Sequence, residues 1–564
     1  MGREIGRITE VRGVSVKAEL FELLPPYILE CGRLRIAPRI NTFVKTKVGL
    51  DVIICQITGE YYDGNTKGLF TGYYLELEVK GYFRGNRFIQ GLRLLPIVSA
   101  SIELLDETDL ESINEYDSGT SFLLGKDLYD NSQNVHLSYN RIIPSHVGVF
   151  GNTGSGKSNT LTRLLHEYSK VLKNEKNGKL LIIDLNNEYG ADAICGHDDK
   201  KIYHLSTRTT NADKIPFNLG NMSEDEWCIL LNATEATQRP VVKTAYNDDK
   251  SENDYCEIVK QLVKLGNHQL VKSIQYHLCD YIDVVGELVW NSTVEKYYFK
   301  DTVGKLYSDM DGFDDRLDQM TVRVPNDDLE HMLFKLYFAT ARHIGYGTQY
   351  DYISPLLRRA EKLVNDLKKV FVFSKEDIFD DHNIVVIQLA DVNNDMTEIV
   401  PSVVANGLFK AKIGSKGEES VKDIINIVID EAHNLLYENE RDYRHTKVTI
   451  DVFEKVIKEG RKYGFFLWVA SQRPSDISQT IISQMHNYFI HKLVNPYDIS
   501  RIRKSVAFLD DNAMDALTVL GSGECIISGT GVSMPYFVTV NQVDEQFRPN
   551  SEDVILFGDD GIFS

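Results

Sequence analysis

The stretch Gly151-Asn152-Thr153-Gly154-Ser155-Gly156-Lys157-Ser158 constrains this chain more than any other, because it spells a complete G-x-x-x-x-G-K-[ST] phosphate-binding loop. The residues before it, Ser145 to Phe150, are short and rich in valine and phenylalanine, as a buried strand should be. Those after it, Ser158 to Leu172, set Leu161, Leu164, Leu165, Tyr168 and Leu172 at helical spacing. Strand, glycine loop and helix in that order give the pattern a mechanism. Successive backbone N–H groups wrap a β-phosphate, and the helix N-terminus adds its positive end. Lys157 would reach the β- and γ-phosphates, and Ser158 would hold Mg²⁺. With Asn159, the run forms the expected binding segment for a nucleoside triphosphate, ATP.

A chain of 564 residues is too long for one hydrophobic core. Residues 1–125 read as short strands broken by glycine and proline. Tyr73, Leu75, Leu77 and Val79 alternate with Tyr74, Glu76, Glu78 and Lys80, the pattern of a half-buried strand. With Ile8–Val16, Arg33–Ile40, Val48–Ile57 and Phe88–Leu95 they predict a small β-barrel. From residue 145 the period changes. Strands at His146–Phe150, Lys179–Asp184, Asn383–Leu389, Ile424–Asp430, Phe465–Ala470 and Tyr488–Leu493 alternate with helical stretches, which predicts a parallel sheet with right-handed crossovers. An insertion over 221–374 interrupts it, helical by pattern at Glu257–Val263, Val271–Val284, Asp328–Tyr346 and Leu356–Val370. Gly523–Ser528 and Pro535–Val540 are expected as edge strands, followed by an acidic tail. The expected domains are therefore a barrel (1–125), a first ATPase part (126–220), the insertion (221–374), a second ATPase part (375–545) and the tail (546–564).

A phosphate loop alone does not separate kinase, motor and switch. Its companion is Ile424-Ile425-Asn426-Ile427-Val428-Ile429-Asp430-Glu431-Ala432-His433, an apolar strand ending in two adjacent carboxylates. Asp430 would hold the water shell of Mg²⁺, and Glu431 would orient and deprotonate the attacking water. The same pair would also suit a cap at the start of a short helix. A glutamate there favours hydrolysis over transfer to a small-molecule hydroxyl. The fold class expected is thus α/β, a RecA-like (ASCE P-loop) ATPase core with an N-terminal small β-barrel and a helical insertion.

The strand Phe465–Ala470 runs into Ser471-Gln472-Arg473-Pro474, where Gln472 is the candidate γ-phosphate sensor or simply part of a turn before Pro474. After the second strand, Asp184-Leu185-Asn186-Asn187-Glu188-Tyr189-Gly190 supplies further carboxylates; either Glu188 tunes the site or Asp184 caps the turn. Arg461, in Glu459-Gly460-Arg461-Lys462-Tyr463-Gly464, would complement a helix C-terminus stopped by Gly464, or would reach into a neighbouring subunit's site.

The net charge of −20 argues against a broad nucleic-acid-binding face, though not against a narrow basic channel. Much of the acid falls in runs such as Asp106–Asp109, Asn247–Asp254, Asp309–Asp318 and Asn326–Glu330, which read as solvated surface. The longest apolar stretches are strand-length, so no membrane span is expected. The N-terminus has no apolar leader, and Gly2 is followed by Gly6 where myristoylation needs Ser or Thr. Cysteines at 31, 55, 195, 228, 256, 279 and 525 form no C-x-x-C pair, as expected of reduced thiols in a cytoplasmic protein.

Taken together, His146–Ser158, Asp184–Gly190, Ile429–Leu435, Glu459–Gly464, Ser471–Ile477 and Gly523–Gly529 with Pro535 resemble, in order, the HerA branch of the HerA/FtsK ATPases. The glycine-punctuated N-terminal strands look like that family's HAS barrel. Where the family has a D-x-x-G-E-Y-like stretch, this chain carries Asn187 in place of glycine. The resemblance implies a homo-hexameric ring that threads double-stranded DNA, with Arg461 as a trans-acting finger. It also implies an effector, a nuclease or a sirtuin-like protein, held through the barrel in DNA processing or antiphage defence. DEAH-box helicases share the letters of Asp430–His433 but need two motor domains, and only one phosphate loop is present. The competing expectation is a nucleotide-gated hexameric scaffold that activates an effector without moving DNA. A small-molecule kinase has no use for Glu431 or the large flanking domains.

Overall fold

Gly13 sits at φ +58°, a left-handed conformation that glycine enters without strain, and it turns the predicted strand Ile8–Val16 into a hairpin of two strands, Glu4–Arg12 and Ser15–Leu20. The computed structural model describes residues 3–549 except 31–32, 65–69, 86, 115–118, 131–132, 175–176, 210, 300–309, 346, 375, 415–422, 439–443, 507–508 and 510. Gly2, Cys31 and the part of the acidic tail over 550–564 lie outside the described residues.

The hairpin continues into an antiparallel sheet with Ser101–Leu104, Phe43–Val48, Asp51–Gly64 and Phe70–Arg84. Ser15–Leu20 then pairs with Phe70–Arg84, which closes six strands into a barrel. The predicted alternation is its cause: Leu75, Leu77 and Val79 are buried with Val16, Ala18, Val44, Ile53 and Ile102, while Glu76 is exposed. Val48–Ile57 resolves into the end of one barrel strand and the start of the next, joined by a tight turn. Arg33–Ile40 is shorter than expected and lies outside the barrel: Arg33–Ile36 pairs only with Tyr27–Glu30.

The second sheet has eleven strands. Its parallel part runs Asn487–His491, Val147–Phe150, Phe465–Ser471, Ile424–Ile429, Gly178–Asp184, Ile384–Asp391, Lys201–Ser206. The central strands Val147–Phe150, Phe465–Ser471, Ile424–Ile429, Gly178–Asp184 and Ile384–Asp391 are buried on both faces and so are rich in Val, Ile, Leu and Phe. Beyond Asn487–His491 the sheet turns antiparallel through Glu524–Gly529, Tyr536–Val540, Ser121–Asp127 and Asn134–Ser138. The two strands expected at an edge are therefore interior: Glu524–Gly529 lies between Asn487–His491 and Tyr536–Val540, and Ser121–Asp127 pairs along the other side of Tyr536–Val540. Ser121–Asp127 straddles the expected 125/126 boundary and pairs with the large sheet. The true edge on the other side, Lys201–Ser206, was not expected; only Tyr203 and Leu205 carry its alternation.

Residues 221–374 are mainly helical, with Glu252–Lys264, His268–Leu278, Asp328–Gly345 and Tyr350–Val370 as the long elements. Ser223 with Glu226 and Ser251 with Asp254 form capping boxes that start two of its helices, which is why Glu252–Lys264 begins earlier than its apolar spacing indicates. Tyr255 packs edge-on against Phe334 and Phe338, with ring centres 5.0 and 4.6 Å away. The apolar residues of this region and those of one sheet face, among them Phe150, Ile183 and Ile427, form one continuous cluster. A short hairpin, Leu288–Asn291 with Lys296–Phe299, has no counterpart in the helical expectation. No helix among the described residues is long and apolar enough to cross a membrane.

Candidate functional site

Because the central strands are parallel, their carboxyl ends collect on one edge. Val147–Phe150 leads into the phosphate loop, and Phe150 is in register with Ser471 on one side and Ile490 on the other. The strand that ends in Asp430 and Glu431 is not adjacent to it; Phe465–Ser471 lies between them. That interposed strand brings Gln472 to the edge between the phosphate loop and the two carboxylates.

The loop is held from below by backbone. Asn152 N–H donates to the Lys492 carbonyl at 3.0 Å, Gly523 N–H to the Ser155 carbonyl at 2.9 Å, and the Ser522 hydroxyl to the Gly154 carbonyl at 2.9 Å. Gly156 has φ +101°, and a Cβ there would come within 2.7 Å of Gly523 Cα, so only glycine fits. The helix Lys157–Asn174 begins inside the motif, which presents its unpaired N–H groups at the loop. Asn159 behaves differently from its neighbours. Its amide donates to the Asn541 carbonyl and accepts from Val543 N–H, both at 3.2 Å, fastening the C-terminal segment to the helix.

Lys157 joins the two halves of the site. Its ammonium donates to Asp430 Oδ1 at 3.1 Å and to Glu431 Oε1 at 2.9 Å, with all three side chains largely buried. Burial works against the charge, yet the two carboxylates outweigh it and hold Lys157 above its usual range. The other Asp430 oxygen accepts from the Tyr189 hydroxyl at 2.8 Å. Burial, with Asp430 beside it, pushes the fully buried Tyr189 phenol well up, so it remains a donor.

Glu431 has φ +49°, a strained conformation for a side-chain-bearing residue. Its Oε2 is buried without a hydrogen-bond partner; His433 Nδ1 is 3.3 Å away and also lies 3.3 Å from the Ser471 hydroxyl. Burial lowers the His433 pKa ahead of the opposing pull of Glu431.

The Asp184–Gly190 turn combines both sequence alternatives. Asp184 accepts from the N–H groups of Glu188 and Tyr189 at 3.0 and 2.9 Å, which caps the turn and aims Tyr189 at Asp430. Glu188 is bonded to Asn186 at 3.1 Å, and burial, then the nearby Asp430, raises its pKa. Asn187 stands at φ +60°, so the departure from glycine is accommodated by a residue that tolerates this region. Its side chain accepts from Ala390 N–H at 3.3 Å.

Gln472 accepts a hydrogen bond from Thr153 at the tip of the phosphate loop. Arg461 is not brought to this cluster. It follows the helix Arg444–Glu459 in a short turn closed by Gly464 at φ +68°, before the strand Phe465–Ser471 begins. That seven-residue strand spans roughly 20 Å, which places Arg461 at the opposite edge of the sheet. It is exposed and has no hydrogen bond or ion pair among the described residues.

The fit to Mg²⁺ rests on donor chemistry. Ser158, in the first helical turn, has a hydroxyl with no hydrogen-bond partner among the described residues, and Asp430 offers carboxylate oxygen on the facing strand. No group of three or more His, Cys, Asp or Glu among the described residues has metal-holding geometry. Two hard oxygen donors without a full protein cage suit Mg²⁺, which takes its remaining ligands from water and phosphate. Sequence reasoning missed the reach of Tyr189 to Asp430, the position of His433 and the Ser522–Gly523 support.

Residues 122–408 match the family described as "Helicase HerA, central domain", and residues 405–549 match "Helicase HerA-like C-terminal". A probable helicase of Methanocaldococcus jannaschii is 23% identical over 461 residues, covering 76% of this chain and 73% of that protein. The DNA double-strand break repair helicase HerA of Sulfurisphaera tokodaii is 22% identical over 469 residues, 82% of this chain and 77% of its own. Among solved structures, VirB4 of Thermoanaerobacter pseudethanolicus aligns at 15% identity and TM-score 0.44 over 76% of this chain and 98% of that one.

Proposed function

The chain belongs to the HerA family of helicases and is an ATP-hydrolysing enzyme, and from that premise we propose that it is a ring-forming, ATP-driven translocase of double-stranded DNA. The observation that carries this is the junction of Lys157 with both Asp430 and Glu431. The ammonium neutralises two adjacent buried carboxylates until a triphosphate competes for it. Once Lys157 turns to the phosphates, Glu431 is freed to orient and deprotonate water, with its unpartnered Oε2 as the accepting atom. Mg²⁺, when bound, would be held by Ser158 and Asp430 and would neutralise phosphate charge. Gln472, tied to Thr153, is the residue assigned to sense the γ-phosphate. Gly154, Gly156 and Lys157 supply backbone N–H groups to the phosphates, while the N–H groups of Gly151, Asn152 and Ser155 are donated to the Ser471, Lys492 and Asn152 carbonyls and hold the loop's shape.

Arg461 cannot reach its own phosphate loop, which supports its role as a finger acting on a neighbour's ATP in a homo-hexamer. The exposed apolar side chains of the barrel region, such as Phe21, Leu23 and Leu92, support its use in holding an effector protein. A role in DNA processing is favoured by the HerA repair helicases among the relatives; antiphage defence, inside the cell, is the variant in which the effector is a nuclease or sirtuin-like protein.

The net charge of −20 favours one rival, the nucleotide-gated scaffold. ATP turnover with linear double-stranded DNA across a salt series separates the two. A translocase gripping phosphates should be stimulated at low salt, lose that stimulation as salt rises and show little sequence preference. A rate indifferent to DNA at low salt, with the effector present, would leave the scaffold.

A further inference from the structure

Away from the phosphate loop, the insertion holds an open cleft of ≈ 940 Å³ between the helix His268–Leu278 and residues 347–351 with Arg358. That volume is of the size that ligand pockets have, roughly 300–1,000 Å³. One wall is aromatic and anchored. His277 stacks on Tyr337 with ring centres 4.9 Å apart, and its Nε2 lies 3.0 Å from the Tyr350 hydroxyl. Tyr276, next to it, meets the His277 ring at right angles with centres 4.7 Å apart and still leaves 76% of its surface exposed, an unusual place for a large ring.

The polar lining is uncommitted. Lys272 and Arg358 are exposed and make no hydrogen bond or ion pair among the described residues, in a chain where acids outnumber bases 82 to 62. Ser273 also lines the cleft and is only 8% exposed, yet its hydroxyl has no hydrogen-bond partner. A buried hydroxyl without a partner is costly, of the order of 1–3 kcal/mol, unless something in the cleft satisfies it. Gln349 precedes a helix without capping it, leaving its amide free to read a ligand.

We propose that this cleft binds a nucleotide unit, its base laid on Tyr276 and its phosphate held by Lys272 and Arg358. An apolar ligand would bury both cations and the Ser273 hydroxyl unpaired, and a bare anion would have no use for the ring. Exposed ring, two uncommitted cations and free amide in one cleft together match base and phosphate in one molecule. The same chemistry comes from a free nucleotide or from a single-stranded segment, and none of its residues belongs to the ATP site.

The test uses the full-length chain with two probes, a fluorescent adenosine monophosphate and a fluorescein-labelled oligothymidylate. Tyr276→Ala with Arg358→Ala should weaken binding about tenfold or more, whereas Tyr276→Phe, which keeps the ring, should bind like the parent. DNA-independent ATP turnover should be unchanged, since both side chains are exposed and remote from the phosphate loop. Loss for the oligothymidylate alone assigns a single strand, loss for the monophosphate alone assigns a free nucleotide, and loss for both supports either source. Equal binding of both probes by parent and double variant would overturn the site.

Discussion

The two edges of the eleven-stranded sheet are made from opposite ends of the same strands, yet they treat charge in opposite ways. At the carboxyl edge, Lys157, Asp430, Glu431 and Tyr189 are buried and joined, so each charge is answered within the chain. At the amino edge, His146 is buried and His486 half-buried, ring against ring at 4.9 Å, and desolvation lowers the pKa of both. Arg461 is exposed there, with no hydrogen bond or ion pair among the described residues. The first edge can hold a triphosphate by itself. The second presents an exposed cation that the first does not use, and on the proposal of a trans-acting finger the catalytic set would divide between two copies along this difference.

The largest effects should come from the joined edge. Lys157→Ala removes a phosphate contact and leaves two buried carboxylates facing each other, so both ATP binding and turnover should collapse. Glu431→Ala removes only the group assigned to water, so turnover should fall by a thousandfold or so while ATP remains bound. Filter binding with labelled ATP beside a phosphate-release assay separates them. Equal loss of binding in both would break the assignment of different roles within one edge.

Arg461→Ala tests the other edge. On the proposal of a trans-acting finger, ATP binding and assembly persist while turnover is lost. Mixing this variant with excess Glu431→Ala subunits should then restore part of the activity, because some mixed interfaces pair an intact Arg461 with an intact Glu431. A fully active monomer by light scattering would erase the distinction between the edges.

Motifs whose chemistry demands consecutive residues were legible in the sequence. The phosphate loop and Asp430–Glu431 are such runs, and the parallel sheet followed from strands buried on both faces. Contacts between distant segments were not legible. Tyr189 meets Asp430 across 241 positions, and Ser522 meets Gly154 across 368. Nothing local marks Tyr189 as a ligand of that carboxylate, since its ring is also an ordinary core residue. The edge strands failed for a related reason: Tyr536–Val540 is interior only because Ser121–Asp127, from a distant part of the chain, pairs along its other side. Arg461 was ambiguous between a helix terminus and a finger, and its place in the turn after Arg444–Glu459 suits both readings.

A smaller effect should follow from Tyr189→Phe. The ring keeps its packing, and only the hydrogen bond to Asp430 is lost. Bonds to charged groups contribute about 1.5–3 kcal/mol, so turnover should fall about tenfold or somewhat more while the melting temperature shifts little. Unchanged turnover would show that Asp430 is positioned by Lys157 and its own backbone alone.

The smallest effect concerns acid and the amino edge. His146 Nδ1 accepts the Leu467 N–H at 2.9 Å, which requires a neutral ring, and its other nitrogen is buried without a partner. Burial, then the neighbouring His486, lowers its pKa from 6.5 to about 3. The unfolded chain therefore binds a proton near pH 6.5 that the folded protein refuses until about pH 3. This contribution to stability is complete above pH 6.5 and is lost progressively as pH falls from there towards 3. One such group sets a slope of at most about 1.4 kcal/mol per pH unit. His146→Asn keeps an acceptor for Leu467 and removes the titration, so its stability should depend less steeply on pH, even though its absolute stability is lower. Denaturant unfolding of both proteins between about pH 7 and about pH 4 measures the two slopes. Identical slopes would show that the neutral His146 ring does not set the pH dependence of this edge.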